Sequence, residues 1–356
     1  MDAGVQLPDP AQLAAALARG ERAALARALN LLDDRRGPAR RAAAALLDSL
    51  QEILPGEARP GEARPGEARP GEARPGVARP DSAHLIGITG PPGAGKSSLT
   101  AALIALWRRR GLRVGVLAVD PSSPVSGGAL LGDRLRMKTA MDDDGVFIRS
   151  LACRGEFGGL SAEVWPMSLV MLAAFDVALI ETVGVGQREI DIAAMCDTTC
   201  FVAQPGSGDS IQFLKAGILE VPHILVVNKE DMGVVAQRTL SELAGALKRA
   251  PGEGGWAVPV LAASATRGTG VESLAEALER HHALLVAQGD IAARRRHYQA
   301  RWILKRLQEE FGSFGIARLG GEPALLRRLP DSPGSMFTQH DRLRQRLFDL
   351  CNGNHD

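Results

Sequence analysis

Between the apolar run Leu85–Thr89 and a helically spaced stretch reaching Arg110 stands Gly90-Pro91-Pro92-Gly93-Ala94-Gly95-Lys96-Ser97. This G-x-x-x-x-G-K-[ST] pattern constrains the fold more than any other feature of the chain, because it works only on a turn from a buried strand into a helix. Glycine lets successive backbone N–H groups curl round phosphate oxygens with no side chain in the way. The helix that follows adds the positive end of its dipole. Lys96 supplies a mobile charge for the β- and γ-phosphates, and Ser97 a hydroxyl for Mg²⁺. The predicted binding loop is Gly90, Pro91, Pro92, Gly93, Ala94, Gly95, Lys96, Ser97 and Ser98.

From His84 onward the texture agrees with such a turn. Strands are predicted at Leu85–Thr89, Val114–Val119, Val146–Arg149, Val177–Ile180, Thr198–Ala203, Ile224–Val227 and Val258–Ala262. Helices are predicted at Lys96–Arg110, Ala162–Phe175, Glu189–Cys196, Ile211–Leu219, Ala236–Arg249 and Val271–Ala287. The alternation predicts an α/β fold of the P-loop NTPase kind, a doubly wound and mostly parallel sheet flanked by helices. Wholly apolar runs such as Ile224–Val227 suit strands buried on both faces.

The flanks differ. Leu13, Leu17, Leu25, Leu29 and Leu32, then Leu46, Leu47 and Leu50, give apolar stripes at helical spacing, and two helices broken at Gly37-Pro38 are expected. Pro55 to Arg79 is PGEAR four times and then PGVAR. Pro and Gly every fifth residue prevent helix and sheet, so the repeat reads as a solvated spacer, roughly 75 Å long if extended. Beyond residue 290 a basic helical stretch carries Trp302, Ile303, Leu307 and Phe311, followed by an irregular segment and a short helix near Leu343–Leu350. The expected organisation is a helical segment at 1–54, a linker at 55–80, a nucleotide-binding domain at 81–290 and a C-terminal helical segment at 291–356.

Asn228-Lys229-Glu230-Asp231, after the strand Ile224–Val227, points to the base. A carboxylate offers two acceptors side by side, and guanine presents two adjacent donors, N1–H and the 2-amino group. Adenine presents no such pair, so Asp231 selects guanine by leaving the wrong base unpaired. The stem of Lys229 can cover the flat of the base, and the backbone at Ser264-Ala265 can meet O6. For the metal, Glu181 ends one strand, Asp120 ends another and Asp133 lies in the loop after it; each is a candidate to hold metal-bound water. Glu181-Thr-Val-Gly184 then brings a Gly184 N–H for the γ-phosphate. The place directly after that glycine, where a water-orienting glutamine often stands, is Val185; Gln187 is the remaining candidate, so slow unassisted turnover is expected.

Charge and cysteine content narrow the class. Lys plus Arg is 42 against 41 Asp plus Glu, which argues against a dedicated nucleic-acid binder, and Arg294-Arg295-Arg296 is one short basic run. No apolar run reaches the ~18 residues of a membrane span, and acidic residues near Met1 do not suit a targeting leader. Four cysteines suit a reducing, cytoplasmic setting. Cys196 and Cys200 are two ligands too few for a closed zinc site, and His281-His282 reads as a solvated pair on a helix.

The segments GITGPPGAGKSS, VDPSSPVSGGALLGDRLRM, ETVGVGQ, PGSGDSIQFLKAGILE and VVNKED together resemble the methylmalonyl-CoA mutase-associated GTPases, a family also labelled arginine/ornithine transport kinase. The resemblance covers about residues 84–290. It implies a homodimeric GTPase chaperone, with GTP as substrate and Mg²⁺ as cofactor, that gates cobalamin delivery to an adenosylcobalamin-dependent acyl-CoA mutase and binds no cobalamin itself. The mutase, and its adenosyltransferase, are the implied partners. On the resemblance, Lys96, Ser97, Asp120, Asp133 and Glu181 carry phosphate and metal roles, and Pro205 to Lys215 is a switch loop with charged ends Asp209 and Lys215. A kinase acting on a transport protein and a metal-inserting GTPase are the alternatives.

Overall fold

The computed structural model describes residues 7–53, 83–120, 143–152, 162–182, 192, 195–206, 222–247, 255–289 and 291–351. The repeat at 55–79, Asp133, Gly184, Gln187, Asp209 and Lys215 lie outside them, as do the side chain of Asp120 and the helices expected at Ile211–Leu219 and over most of Glu189–Cys196.

The chain divides into two compact units. One, spanning 84–164 and 175–288, is built, among the described residues, on seven parallel strands: β1 (His84–Thr89), β2 (Val114–Asp120), β3 (Val146–Ala152), β4 (Val177–Thr182), β5 (Thr198–Ala203), β6 (Ile224–Val227) and β7 (Val260–Ala262). Their order is β3-β2-β4-β1-β5-β6-β7, and every neighbouring pair is parallel. The P-loop strand β1 is therefore central, paired to β4 and β5. All six of its residues are buried, as are those of β4 and β5. That is why these strands read as apolar runs rather than alternations. β7 is shorter than expected because Pro259 has no N–H to give the ladder, although its carbonyl accepts from Leu225 N–H at 3.0 Å.

The helix after the P-loop, α4 (Lys96–Arg109), buries Leu99, Leu103, Ile104 and Trp107 among β-strand residues such as Ile86, Val116 and Leu179. Each such side chain contributes roughly 1.5–3 kcal/mol on burial. On the same core sits a later helix, Val271–Gln288, through Leu274, Ala275 and Leu278. Its Glu279 accepts from Trp107 Nε1 at 3.2 Å and from Arg110 at 2.7 Å. The helix Val234–Leu247 packs Ala236 and Leu243 with Leu225 and Val227 of β6.

The second unit gathers 7–53, residues 165–174, and the chain from 289 onward. Its N-terminal part is three helices, not the expected two: α1 (Pro10–Ala18), α2 (Arg22–Asp33) and α3 (Gly37–Ile53). Gly20, at φ 76°, takes the left-handed turn that ends α1. In chain order after α4 come α5 (Val164–Ala174), α6 (Val234–Leu247), α7 (Val271–Gln288), α8 (Ile291–Arg318), α9 (Glu322–Arg328) and α10 (Met336–Cys351). A non-helical Gly312, at φ 64°, kinks α8. The segment expected to be irregular contains α9, and the final helix is twice as long as the stretch Leu343–Leu350. Its start is fixed from afar: Asp48 of α3 accepts from Ser335 N–H at 2.6 Å and Thr338 Oγ1 at 2.7 Å. Among the described residues no helix is long and apolar enough to cross a membrane.

Candidate functional site

At the carboxyl ends of β1, β4, β5 and β6 the expected residues converge. Gly90 leaves β1 at φ 142°, where an added Cβ would overlap the Val202 carbonyl oxygen of β5. Only a residue without a side chain lets the loop pass that close. Gly95, at φ 84°, caps α4, and a Cβ there would lie 2.5 Å from Asn228 Nδ2. Lys96, 6% exposed, folds back over the loop and donates from Nζ to the carbonyls of Gly90 at 2.7 Å and Pro91 at 2.9 Å. Its charge is thus held at the mouth of the ring of amides.

One residue on, Ser97 Oγ donates to Glu181 Oε1 at 2.6 Å, and both side chains are buried. Glu181 reaches this position because β4 lies beside β1, with Ile88 opposite Glu181 in the register. Thr182 Oγ1 donates to Thr89 Oγ1 at 3.3 Å just beyond. A hydroxyl and a carboxylate oxygen in contact are the hard donors that suit Mg²⁺. Ser97 and Glu181 therefore fit the ion that a triphosphate brings. Asp120 ends β2, next to β4 in the sheet.

The base-reading segment turns on Lys229, at φ 60° the one non-glycine residue with positive φ among those described. This left-handed step starts a 3₁₀ turn, Glu230–Met232, that brings Asp231 to the surface. Asp231 Oδ1 accepts from the buried Ser264 Oγ at 2.6 Å. That hydroxyl, and then the residue's own backbone N–H, hold the Asp231 carboxyl below the usual carboxylate range. Glu230 adds two ties to the same loop: its N–H donates to Ala263 O at 2.9 Å, and its carboxylate accepts from Thr269 Oγ1 at 3.1 Å.

Asn228 does more than its place in the motif announces. Its Nδ2 donates to Ala94 O at 2.9 Å and Gly95 O at 3.3 Å, and its Oδ1 accepts from Ala265 N–H at 3.2 Å. The residue, 2% exposed, is a strut between the phosphate loop and the Ser264-Ala265 loop. The N–H expected to meet O6 is, in this structure, the one that Asn228 holds. Position alone could have signalled the strut, since the P-loop strand and β6 both flank β5.

The opposite ends of the strands correct another expectation. His281 is not solvated but 2% exposed: its ring lies 4.3 Å from that of His223 and 4.9 Å from Trp256, and Nδ1 meets Thr198 Oγ1 at 2.8 Å. His282 stacks on His84 at 4.3 Å. Both are drawn inward because α7 packs against β5 and β6. Cys196 and Cys200 are buried free thiols, and burial pushes Cys200 up to about 12. Among the described residues no group of three or more His, Cys, Asp or Glu could hold a metal ion.

Known proteins resemble this one over most of its length. The family model described as methylmalonyl-CoA mutase-associated GTPase MeaB matches residues 76–315. A protein of Mycobacterium tuberculosis named probable GTPase is 39% identical over 294 residues, which is 82% of this chain and 80% of that one. The Caenorhabditis elegans protein named methylmalonic aciduria type A homolog, mitochondrial, is 32% identical over 311 residues, 86% of this chain and 74% of its own. The crystal structure of an LAO/AO transport system kinase superposes with a TM-score of 0.65 at 25% identity, covering 96% of this chain and 97% of that one.

Proposed function

The chain belongs to the methylmalonyl-CoA mutase-associated GTPase family, and from that premise we propose that it uses GTP hydrolysis to control cobalamin loading of an adenosylcobalamin-dependent acyl-CoA mutase. It is a P-loop GTPase that turns GTP into GDP and phosphate. The observation that carries the guanine reading is the Asp231 carboxylate, held by Ser264 Oγ at 2.6 Å beside the loop that Asn228 ties to the phosphate loop.

The residues divide the work. Lys96 exchanges two carbonyl partners for phosphate oxygens and offsets charge that grows on the β–γ bridge during bond breaking. The amides of the loop hold the phosphates in line with the attacking water, which is catalysis by positioning and by preset charge. Mg²⁺ bound through Ser97 would screen the phosphate oxygens and orient them. Glu181, through its contact with Ser97 Oγ, fixes that hydroxyl's direction. Asp231 accepts both guanine donors while Ser264 keeps its carboxylate ionised and aimed. Asp120 and Asp133 as further carboxylates for metal water, Gly184 for the γ-phosphate and Gln187 for the water complete the proposed set.

The mutase link is supported by the family's description and by the name of the nematode relative. The homodimer belongs to the same proposal. Single-turnover GTP hydrolysis with and without an adenosylcobalamin-dependent acyl-CoA mutase tests it: a rate that rises with the mutase supports the proposal, and equal rates sink it. The name of the superposed transport system kinase favours a second reading. Appearance of the γ-phosphate on a protein, rather than as free phosphate, would mark that one.

A further inference from the structure

A cavity of about 660 Å³ opens in the helical unit between α3, α8 and α10. Four guanidinium groups line it: Arg40 and Arg41 from α3, Arg306 from α8 and Arg344 from α10. Such a fork of N–H donors matches phosphate oxygens, and four of them on three helices surround a volume of nucleotide size.

The cations are held without being used up. Arg41 makes no ion pair with another described residue, and Arg40 stands 3.9 Å from Asp341 and 3.5 Å from His340 Nδ1. Arg344 and Arg306 pair with Glu310 at 2.5 Å and Glu309 at 2.8 Å, but these are exposed or half-exposed contacts of the weak kind that an anion displaces readily. Ring contacts fix their directions: Arg40 lies over Phe337 at 5.5 Å, and Arg344 over Phe348 at 5.1 Å.

The remaining wall suits the rest of a nucleotide. Phe348 lines the cavity, is 39% exposed and meets Phe311 at a steep angle at 5.6 Å; beside the guanidinium of Arg344 that lies over its ring, it gives an apolar wall against which a base can pack. Carboxylates at Glu310 and Asp341 can accept from ribose hydroxyls or a base amino group. Behind them His340, 2% exposed, has one ring nitrogen 3.3 Å from Asp341 Oδ1 and the other, Nε2, 3.8 Å from Glu310 Oε2. That Nε2 is buried with no hydrogen-bond partner.

We propose that this cavity is a second ligand site, which takes a nucleoside phosphate with its phosphates on the arginines and its base on Phe348. It is independent of the guanine site described above. Calorimetric titration of the full chain, both carrying one equivalent of GDP and free of it, with adenosine diphosphate, pyrophosphate and adenosine tests this. Asp231 rejects adenine at the first site, so adenosine diphosphate should bind equally with and without GDP. Arg41→Ala and Arg344→Ala together should weaken it by about tenfold or more, leaving GDP affinity unchanged. Arg41→Glu, at an exposed position with no ion pair, should do the same on its own and keeps the test clear of folding defects. Phe348→Ala should weaken adenosine diphosphate more than pyrophosphate. No heat with adenosine diphosphate up to about 1 mM, binding indifferent to Arg41→Glu, or pyrophosphate binding as tightly as the nucleotide would overturn the proposal.

Discussion

Replacing Asp231 by Asn alters one atom at the point where the base is chosen. In the structure Ser264 Oγ holds Oδ1 at 2.6 Å. In Asp231→Asn the same hydroxyl keeps the amide oxygen, so the NH₂ group takes the place of Oδ2 and points at a guanine donor. One charge-assisted bond, worth about 1.5–3 kcal/mol, is lost, and the donor facing a donor adds a desolvation cost of about 1–3 kcal/mol. The sum, about 2.5–6 kcal/mol, corresponds to a loss of about 10² to 10⁴ in GTP affinity. Xanthine presents N1–H and a 2-oxo group, one donor beside one acceptor, which is the complement of an amide. The variant should therefore bind XTP more tightly than GTP, whereas the parent chain does the reverse. Isothermal titration with GTP, XTP and ATP measures all three. GTP affinity within twofold of the parent, or no gain for XTP, would refute the assignment of Asp231 as the base reader.

Other expectations follow from the same geometry. Asn228→Ala orphans Ala94 O and Ala265 N–H, each at about 1–3 kcal/mol; GDP affinity should fall by about tenfold or more, with a lower urea midpoint, and an unchanged affinity would show that the strut is idle. Burial raises Cys196 and Cys200 above the ordinary thiol value, the latter to about 12, so neither should react with a thiol reagent at pH 8 in the folded chain. Because those folded values lie above the unfolded one, their contribution to stability is complete below pH 9, and should fade as pH climbs from there toward 12. Asp143 titrates the other way: Arg108, then the Gly145 N–H, depress its carboxyl, so its contribution is present above about pH 4 and is lost as pH falls through the lowered value. Arg108 and Asp143 are 25% and 37% exposed, and Asp143→Asn should accordingly cost no more than about 1 kcal/mol in urea unfolding near neutral pH.

What the sequence made legible is local in its physics. The P-loop needs a glycine wherever the backbone turns left-handed or passes under Val202, and these needs are written at Gly90 and Gly95 themselves. The same holds for the strands, since residues buried on both faces of a parallel sheet have to be apolar along their whole length. What stayed hidden depends on partners distant in the chain. Asn228 reads as part of a base motif, yet its bonds go to residues 133 and 134 places earlier and 37 later. The N-terminus of α10 is capped by Asp48, 287 residues upstream of Ser335, so the helix looks shorter in sequence than it is. His281 and His282 look like polar helix residues because nothing nearby announces that α7 will press them against Thr198 and His84. The split between α1 and α2 was readable: Gly20 stands at the break, but the leucine stripe that runs past it is the louder signal.

Every role assigned above depends on a pocket that grips a triphosphate and chooses guanine. Its most direct test is calorimetric titration of the full chain in Mg²⁺ with GDP and a non-hydrolysable GTP analogue against their adenine counterparts. At the tighter site guanine nucleotides should bind at one per chain and more than about a hundredfold tighter than adenine nucleotides. Equal affinities for the two bases, or no binding of either guanine nucleotide, would contradict it.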